Sequence, residues 1–395
     1  MVLNPGCSNG ILMKASLKVA KIFGIPIFLH VTLLLILPLF AASFAFSTGM
    51  VWFFKVGFGD LALDVYSQLA LGAVAAIILF LSILVHELAH SYVALKKGYT
   101  ITGITLFIFG GVSQIGKTPD RAPGEALMAF VGPASSIVIG AVFTPLYLLV
   151  DGLGSSLTVQ IIAITLSATA FYNLLLGAFN LVPAFPMDGG RVLRASLAKR
   201  MGYLKATETA VNVGKVAAVI MGVIGLFYSI WFIFIAIFIF MGADSELTGT
   251  RVSEALRGLK VKDIMTKDVS SVDVMTPVSD VVHKMMTERH IGYPVLEAGS
   301  IVGMVTLEDV TKVPEERRSL TFVRDVMSKQ LVSIPAGAEA MDALQLMSSR
   351  NIGRLVVMQV VMESGAMVGI VTRTDIIRAV NMMAQAKGMR PIPPP

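Results

Sequence analysis

Leu71-Gly-Ala-Val-Ala-Ala-Ile-Ile-Leu-Phe-Leu-Ser-Ile-Leu-Val85-His86-Glu87-Leu88-Ala89-His90 is the stretch that decides how this chain is read. It joins an apolar run to two imidazoles four residues apart, with a carboxylate beside the first. Residues i and i+4 share one face of a helix, so both rings can reach a single metal ion. Ionisable groups at membrane depth are expensive and mark a functional site by default. With five histidines and twelve glutamates in 395 residues, chance gives H-E-x-x-H about 0.002 times per chain. The plainer alternative is a pair of interfacial histidines with a capping glutamate.

The rest of the chain divides into an apolar half and a charged half. Hydrophobic residues make up 55% and charged residues 15%, whereas a soluble domain has roughly a quarter of its residues charged. The mean hydropathy is +0.77. Residues 122–190 carry only Glu125, Asp151 and Asp188 as charged side chains, while residues 251–329 are rich in both signs. The single cysteine, Cys7, excludes an intrachain disulfide framework. The net charge of +6 calls for no nucleic-acid partner, because the basic residues cluster beside apolar spans.

Lys14, Lys18 and Lys21 precede the first apolar stretch, but residues 25–48 are too long for a signal-peptide core and show no small-residue cleavage site. They are expected to form the first span. Further spans are expected at about 68–95, 125–150 and 157–181. The apolar stretch 207–245 suits two short spans turning at Tyr228-Ser229, with Lys215 snorkelling from the first. That makes about six transmembrane helices; one long helix over 216–243, giving five, is the alternative. With a cytoplasmic N-terminus and six spans, the inside segments hold twelve lysines and arginines and the outside loops only Lys55. This positive-inside bias predicts a multi-pass protein of the cell membrane with its N-terminus and its soluble half in the cytoplasm.

The soluble half repeats itself. Val261-Lys-Asp-Ile-Met265 answers Val323-Arg-Asp-Val-Met327, His290-Ile-Gly-Tyr-Pro-Val295 answers Asn351-Ile-Gly-Arg-Leu-Val356, and Gly303-Met-Val-Thr306 answers Gly369-Ile-Val-Thr372. Each unit of about sixty residues reads as strand, amphipathic helix, strand, turn, strand, helix. Two such α/β units can bury their sheets against each other. The expected division is a membrane domain over 1–246, a linker (Ser245–Leu259) and first repeat within 247–322, a second repeat over 323–385, and a proline-rich disordered tail over 386–395.

Two histidines do not complete a catalytic zinc site, which takes three protein ligands and keeps a fourth position open. Asp188 is the conspicuous polar residue just after the fourth span, in Asn180-Leu-Val-Pro183-Ala-Phe-Pro186-Met-Asp188-Gly189-Gly190. The second and fourth spans end on the same side, so Asp188 can meet His86 and His90. It also suits capping of the basic helix that starts near Gly189. The two roles are compatible.

These motifs resemble the site-2 protease family of intramembrane zinc metalloproteases over roughly residues 14–245. His86-Glu87-Leu88-Ala89-His90 matches its H-E-x-x-H; Asn180, Pro183, Asp188 and Gly189 match its N-x-x-P-x-x-x-x-D-G. Phe109-Gly110-Gly111-Val112 and Gly132-Pro133 match its glycine-rich stretch and its G-P. The resemblance implies a zinc-dependent endopeptidase acting on membrane-bound substrates. His86, His90 and Asp188 would bind one Zn2+ and Glu87 would be the general base. It gives Asn180 a site role, toward the substrate or the oxyanion. The stretch Ile104–Ile115, β-branched and aromatic and broken by Gly110 and Gly111, could be an extended segment whose edge pairs with an unwound substrate. It could equally be an ordinary packing strand.

The repeats resemble a tandem CBS, or Bateman, module over about residues 260–383. By that resemblance Thr306 and Asp309, and Thr372 and Asp375, supply the G-x-x-T-x-x-D positions that hold an adenosine nucleotide, with ATP, ADP and AMP as candidates. The same residues suit helix N-capping. Such modules often pair between chains, so a homodimer through them is expected. The competing function is a CBS-regulated transporter or channel whose buried His, Glu and Asp form an ion path. No inverted repeat is seen in the apolar half, which counts against it. A third reading is an inactive member serving as a receptor; the presence of Glu87 and all three candidate ligands counts against that.

Overall fold

The computed structural model describes residues 16–108, 110–115, 124–361 and 364–389. Cys7, Lys14, Phe109, Lys117, Arg121 and residues 390–395 of the expected tail lie outside the described residues. The chain forms two compact units, divided between Thr250 and Arg251.

The first unit opens with strands β1 (Ser16–Ile22) and β2 (Ile25–His30), then helix α1 (Val31–Phe46). A short hairpin, β3 (Met50–Val51) and β4 (Phe54–Lys55), leads to α2 (Val65–Lys96). Strands β5 (Ile101–Phe107) and β6 (Gly110–Ile115) follow. Helices α3 (Glu125–Asp151), α4 (Leu157–Asn180), α5 (Asp188–Met201), α6 (Tyr203–Tyr228) and α7 (Ile230–Leu256) follow, and residues 251–256 of α7 fall in the second unit. Five of these helices, α2, α3, α4, α6 and α7, are long and apolar enough to cross a membrane.

The first expected span is corrected. Residues 25–30 are a strand, paired antiparallel with β1 and parallel with β5, and only the 16 residues of α1 are helical. An apolar run carries no period that separates a strand from a helix, and Pro26 disfavours helix before it. At ~1.5 Å per residue α1 spans about 24 Å, short of a hydrocarbon core of about 30 Å. The single helix over 216–243 does not form. Ser229 is extended between α6 and α7, where a Cβ on Gly225 would sit 2.9 Å from Ile233 N. Close packing of α7 on α6 replaces continuation of one helix. Most of the expected linker is helical instead: α7 runs through Leu256, and the next left-handed backbone is at Gly258.

The zinc-motif helix begins at a strong cap. Asp64 Oδ1 accepts from Tyr66 N (3.0 Å) and Ser67 N (3.1 Å), satisfying two of the donors a helix start leaves open. Small residues bring α3 and α4 together. A Cβ on Gly177 would lie 2.9 Å from Pro133 O, and one on Gly140 would lie 3.0 Å from Ala170 O. That close approach is how apolar helices associate where no hydrophobic drive separates them from lipid. Strands β1, β2, β5 and β6 form one sheet in that order, with β6 at its end.

The second unit carries the repeat as read. Helix α8 (Val261–Ile264), β7 (Val272–Asp273), α9 (Val278–Glu288), β8 (Gly292–Glu297), β9 (Ser300–Thr306) and α10 (Leu307–Thr311) form one half. Helix α11 (Val323–Val326), β10 (Ser333–Pro335), α12 (Ala340–Arg350), β11 (Arg354–Val361), β12 (Ser364–Thr372) and α13 (Arg373–Ala386) form the other. Each sheet has a parallel first pair and an antiparallel second pair. The halves trade edges: Thr266 bridges Ile370, and Ser328 bridges Met304, each by two backbone hydrogen bonds.

Candidate metal centre

Helix α2 carries His86, Glu87 and His90, and all three are buried. Asp188 is the first residue of α5, entered through the tight loop 181–187. Gly189 and Gly190 allow that entry: a Cβ on Gly190 would lie 2.6 Å from Phe185 N, and one on Gly189 would overlap Val182 O. The loop therefore folds directly onto the first turn of α5 and delivers the carboxylate to α2.

The three side chains converge. His86 Nε2 lies 3.3 Å from Asp188 Oδ2, His90 Nε2 lies 3.1 Å from the same oxygen, and the two Nε2 atoms are 3.1 Å apart. Ligands about 2.0–2.1 Å from a tetrahedral zinc stand ~3.3 Å from one another. The donor set and its spacing thus fit zinc. Among the described residues this is the group of histidine and acidic side chains that could hold a metal ion.

The far sides of both rings are occupied. His90 Nδ1 lies 2.6 Å from Met128 O. A carbonyl can only accept, so Nδ1 carries the proton and Nε2 keeps its lone pair for a metal. His86 Nδ1 lies 3.0 Å from Ser136 Oγ. Both partners belong to α3, and between them stands Gly132, where a Cβ would run into the His90 ring. Sequence reading had Gly132 only as part of a G-P pair, and it missed Ser136 and the Met128 carbonyl. The i, i+4 spacing of Gly132 and Ser136 was the one available signal.

Glu87 points to the sheet. Ser113 Oγ donates to Glu87 Oε2 at 3.0 Å, and Ser91 Oγ sits 2.9 Å from Ser113 Oγ. A Cβ on Gly111 would lie 2.5 Å from Glu87 Cγ, so glycine lets β6 press against this carboxylate. Gly110 has a φ of +125°, a conformation glycine adopts readily. Asn180 stands apart: its Nδ2 donates to Leu176 O of its own helix at 2.9 Å.

A cavity of about 40 Å³ lies over the cluster, lined by His90, Asp188, Ser91, Ser113, Glu125 and Arg191 among others. That is room for a few waters. Beside it Arg194, buried on α5, pairs with Glu125 of α3 and, at 2.9 Å, with Glu246 of α7. Arg191 joins Glu246 at 3.3 Å. The Arg194 guanidinium also stacks over Phe185 and Tyr203, each 4.8 Å away. Burial alone would lower its pKa, but the two carboxylates outweigh burial and hold it above its ordinary value. No sequence motif announced this node.

In the second unit both Thr/Asp pairs form capping boxes. Thr306 N and Oγ1 donate to Asp309 Oδ2 at 2.9 and 2.7 Å; Thr372 N and Oγ1 donate to Asp375 Oδ2 at 2.9 and 2.6 Å. The capping role is therefore realised at both positions.

The model of peptidase family M50 matches residues 74–224, and the CBS domain model matches 261–316 and 323–381. A zinc metalloprotease of Methanocaldococcus jannaschii is 35% identical over 94% of this chain and 98% of its own length. Rip3 of Mycobacterium tuberculosis is 34% identical over 95% of each chain. The solved structure of a site-2 protease from Methanocaldococcus jannaschii shares 37% identity, covering 59% of this chain and 95% of that one, with a TM-score of 0.41.

Proposed function

The chain belongs to the M50, or site-2 protease, family of zinc metalloproteases, and from that premise we propose that it hydrolyses peptide bonds within or near the transmembrane segments of other membrane proteins. It is a multi-pass membrane enzyme with a CBS pair, and the transporter alternative falls with that membership. The observation that carries the proposal is the meeting of His86, His90 and Asp188 beside Glu87 in a helical unit of membrane-crossing length.

In this reading His86, His90 and Asp188 hold the ion. Zinc bound there supplies a Lewis acid and lowers the pKa of water to about 7. Glu87, oriented by Ser113, takes the proton from the nucleophilic water and returns it to the leaving amide nitrogen. Met128 O fixes the tautomer and direction of His90, and Ser136 Oγ holds the direction of His86. A transmembrane helix hides its peptide bonds and must be unwound before cleavage. The unwound segment lies along β6, the terminal strand, past Gly110 and Gly111 and so beside Glu87. Asn180 serves the substrate or the oxyanion by turning its amide away from Leu176 O.

The CBS pair is the regulatory part, with an adenine nucleotide as its ligand. Asp309 and Asp375 use Oδ2 for the capping boxes, and each Oδ1 has a basic side chain 3.9 Å away. Those oxygens suit ribose hydroxyls. A coupling of about 1–3 kcal/mol would change activity about 5- to 150-fold. The active species is a homodimer through the CBS units, and, with the short apolar helix α1 as a sixth crossing, they and the N-terminus face the cytoplasm.

Reconstituted enzyme should cleave a transmembrane substrate, stop on chelation and recover with zinc. Glu87→Gln should retain zinc and lose turnover by about 10²–10⁴-fold. Cleavage that ignores the chelator, or equal rates in Glu87→Gln and wild type, would overturn the proposal.

A further inference from the structure

Helix α2 is 32 residues long. At ~1.5 Å per residue that is about 48 Å, some 18 Å more than a hydrocarbon core of about 30 Å. Its length therefore does not set its depth, and something else must. His86 lies 21 residues beyond Val65 (86 − 65), or ~32 Å along the axis. An anchor at the N-terminal end of α2 would place the metal centre near the opposite boundary of the bilayer.

The hairpin that feeds this end of α2 has the build of such an anchor. Met50 and Val51 form its first strand and Trp52 and Phe53 its turn, and all four are exposed, Trp52 to 88%. Trp52 holds a φ of +56°, rare for a bulky side chain at a turn where glycine or asparagine is less strained. The second strand of the hairpin, by contrast, is pinned. Lys55 Nζ bonds Asp151 Oδ1 at 2.6 Å, Tyr147 OH donates to Phe53 O at 2.8 Å, and Phe54 is buried against Tyr147 and Phe171. All these partners belong to α3 and α4. Apolar exposure continues from the tip onto Leu148 and Leu149 of α3, a helix of membrane-crossing length. Tyr66, exposed in the first turn of α2, stands at the same end. An amphipathic aromatic at the end of a spanning helix belongs at the headgroup level, where its ring is buried and its N–H stays wet.

We propose that the Met50–Phe53 tip is a lipid anchor, with Trp52 seated in the headgroup region of the leaflet opposite the metal centre. The partner is the bilayer interface, and the inference rests on the reading of this chain as a membrane protein.

The chain holds two tryptophans, Trp52 and Trp231. Trp231 is exposed on α7, so Trp231→Phe should fold normally and leave Trp52 as the sole emitter. The full-length variant is reconstituted in phosphatidylcholine vesicles brominated either near the headgroup or near the chain ends. Trp52 emission should be blue-shifted and lost mainly to the shallow bromines. Emission like that of tryptophan in water, or blue emission untouched by either lipid because protein covers the tip, would overturn the anchor. Trp52→Phe supplies the control. If Trp231 is quenched while Trp52 is not, the hairpin proposal fails and the membrane reading stands.

Discussion

Gly132→Ala is the sharpest test of the site's construction, because it adds one methyl group and replaces no ligand residue. The new Cβ would lie 2.7 Å from His90 Cδ2, with Nε2 and Cε1 closer still. Ordinary carbon contacts are about 3.5–4.0 Å, so the ring must retreat by ~0.8 Å or more. Metal–ligand distances tolerate about ±0.2 Å, and His90 would be lost as a ligand. Disturbing a partner of a ligand already lowers metal affinity about 10- to 100-fold; displacing the ligand itself should cost more than about 100-fold, or over ~2.7 kcal/mol. Alanine's better helix propensity, up to about 1 kcal/mol, acts in the other direction on stability. The assay is zinc content against a competing chelator, with helicity read by circular dichroism. Gly140→Ala, two turns on in the same helix, is the control. Its Cβ meets Leu174 and Ala170 O, so it should lower stability and leave zinc bound. Wild-type zinc affinity and cleavage in Gly132→Ala would refute the reasoning.

Arg194→Ala should destabilise by about 3–5 kcal/mol in denaturation, because Glu125 and Glu246 are left without their shared cation, while Arg194→Lys should recover part of the loss. Asp375→Ala should lose about 1 kcal/mol of stability through its cap and, if the nucleotide proposal holds, reduce the heat of AMP, ADP or ATP binding while Asp309 keeps its share; unchanged heat would leave Asp375 as a cap alone. A cysteine introduced at Ser300 into a Cys7→Ser chain should resist impermeant reagent in right-side-out vesicles, and external labelling there would exclude the proposed orientation.

The site was legible where chemistry follows spacing. His86 and His90 are one turn apart, and Asp188 sits at a fixed distance from Asn180 and Pro183, so side-chain type and position together carried the message. The repeats were legible because each copy solves the same packing problem with the same residues at Val261/Val323 and Thr306/Thr372. What stayed hidden was contact made by groups without a signature. The Met128 carbonyl is a backbone atom present in every residue, and Ser136 is one serine among many. The Arg194 node joins residues 69 and 52 apart in the chain, a separation at which no pattern survives. Position misled at one place: Glu246 fell in the expected linker, whereas within α7 it meets the Arg191/Arg194 pair.

The exchange of edges between the repeats has a consequence for how the chain can be cut. Ile370, in the second repeat's β12, is bridged by Thr266 of the first; Met304, in the first repeat's β9, is bridged by Ser328 of the second. Removing either repeat would bare the partner's β9 or β12, whose open amides and carbonyls are a template for pairing with other molecules. The two copies are thus separate in sequence but not in folding. They should melt as one cooperative transition, and a polypeptide ending at residue 322 should aggregate where one ending after α13 stays dispersed.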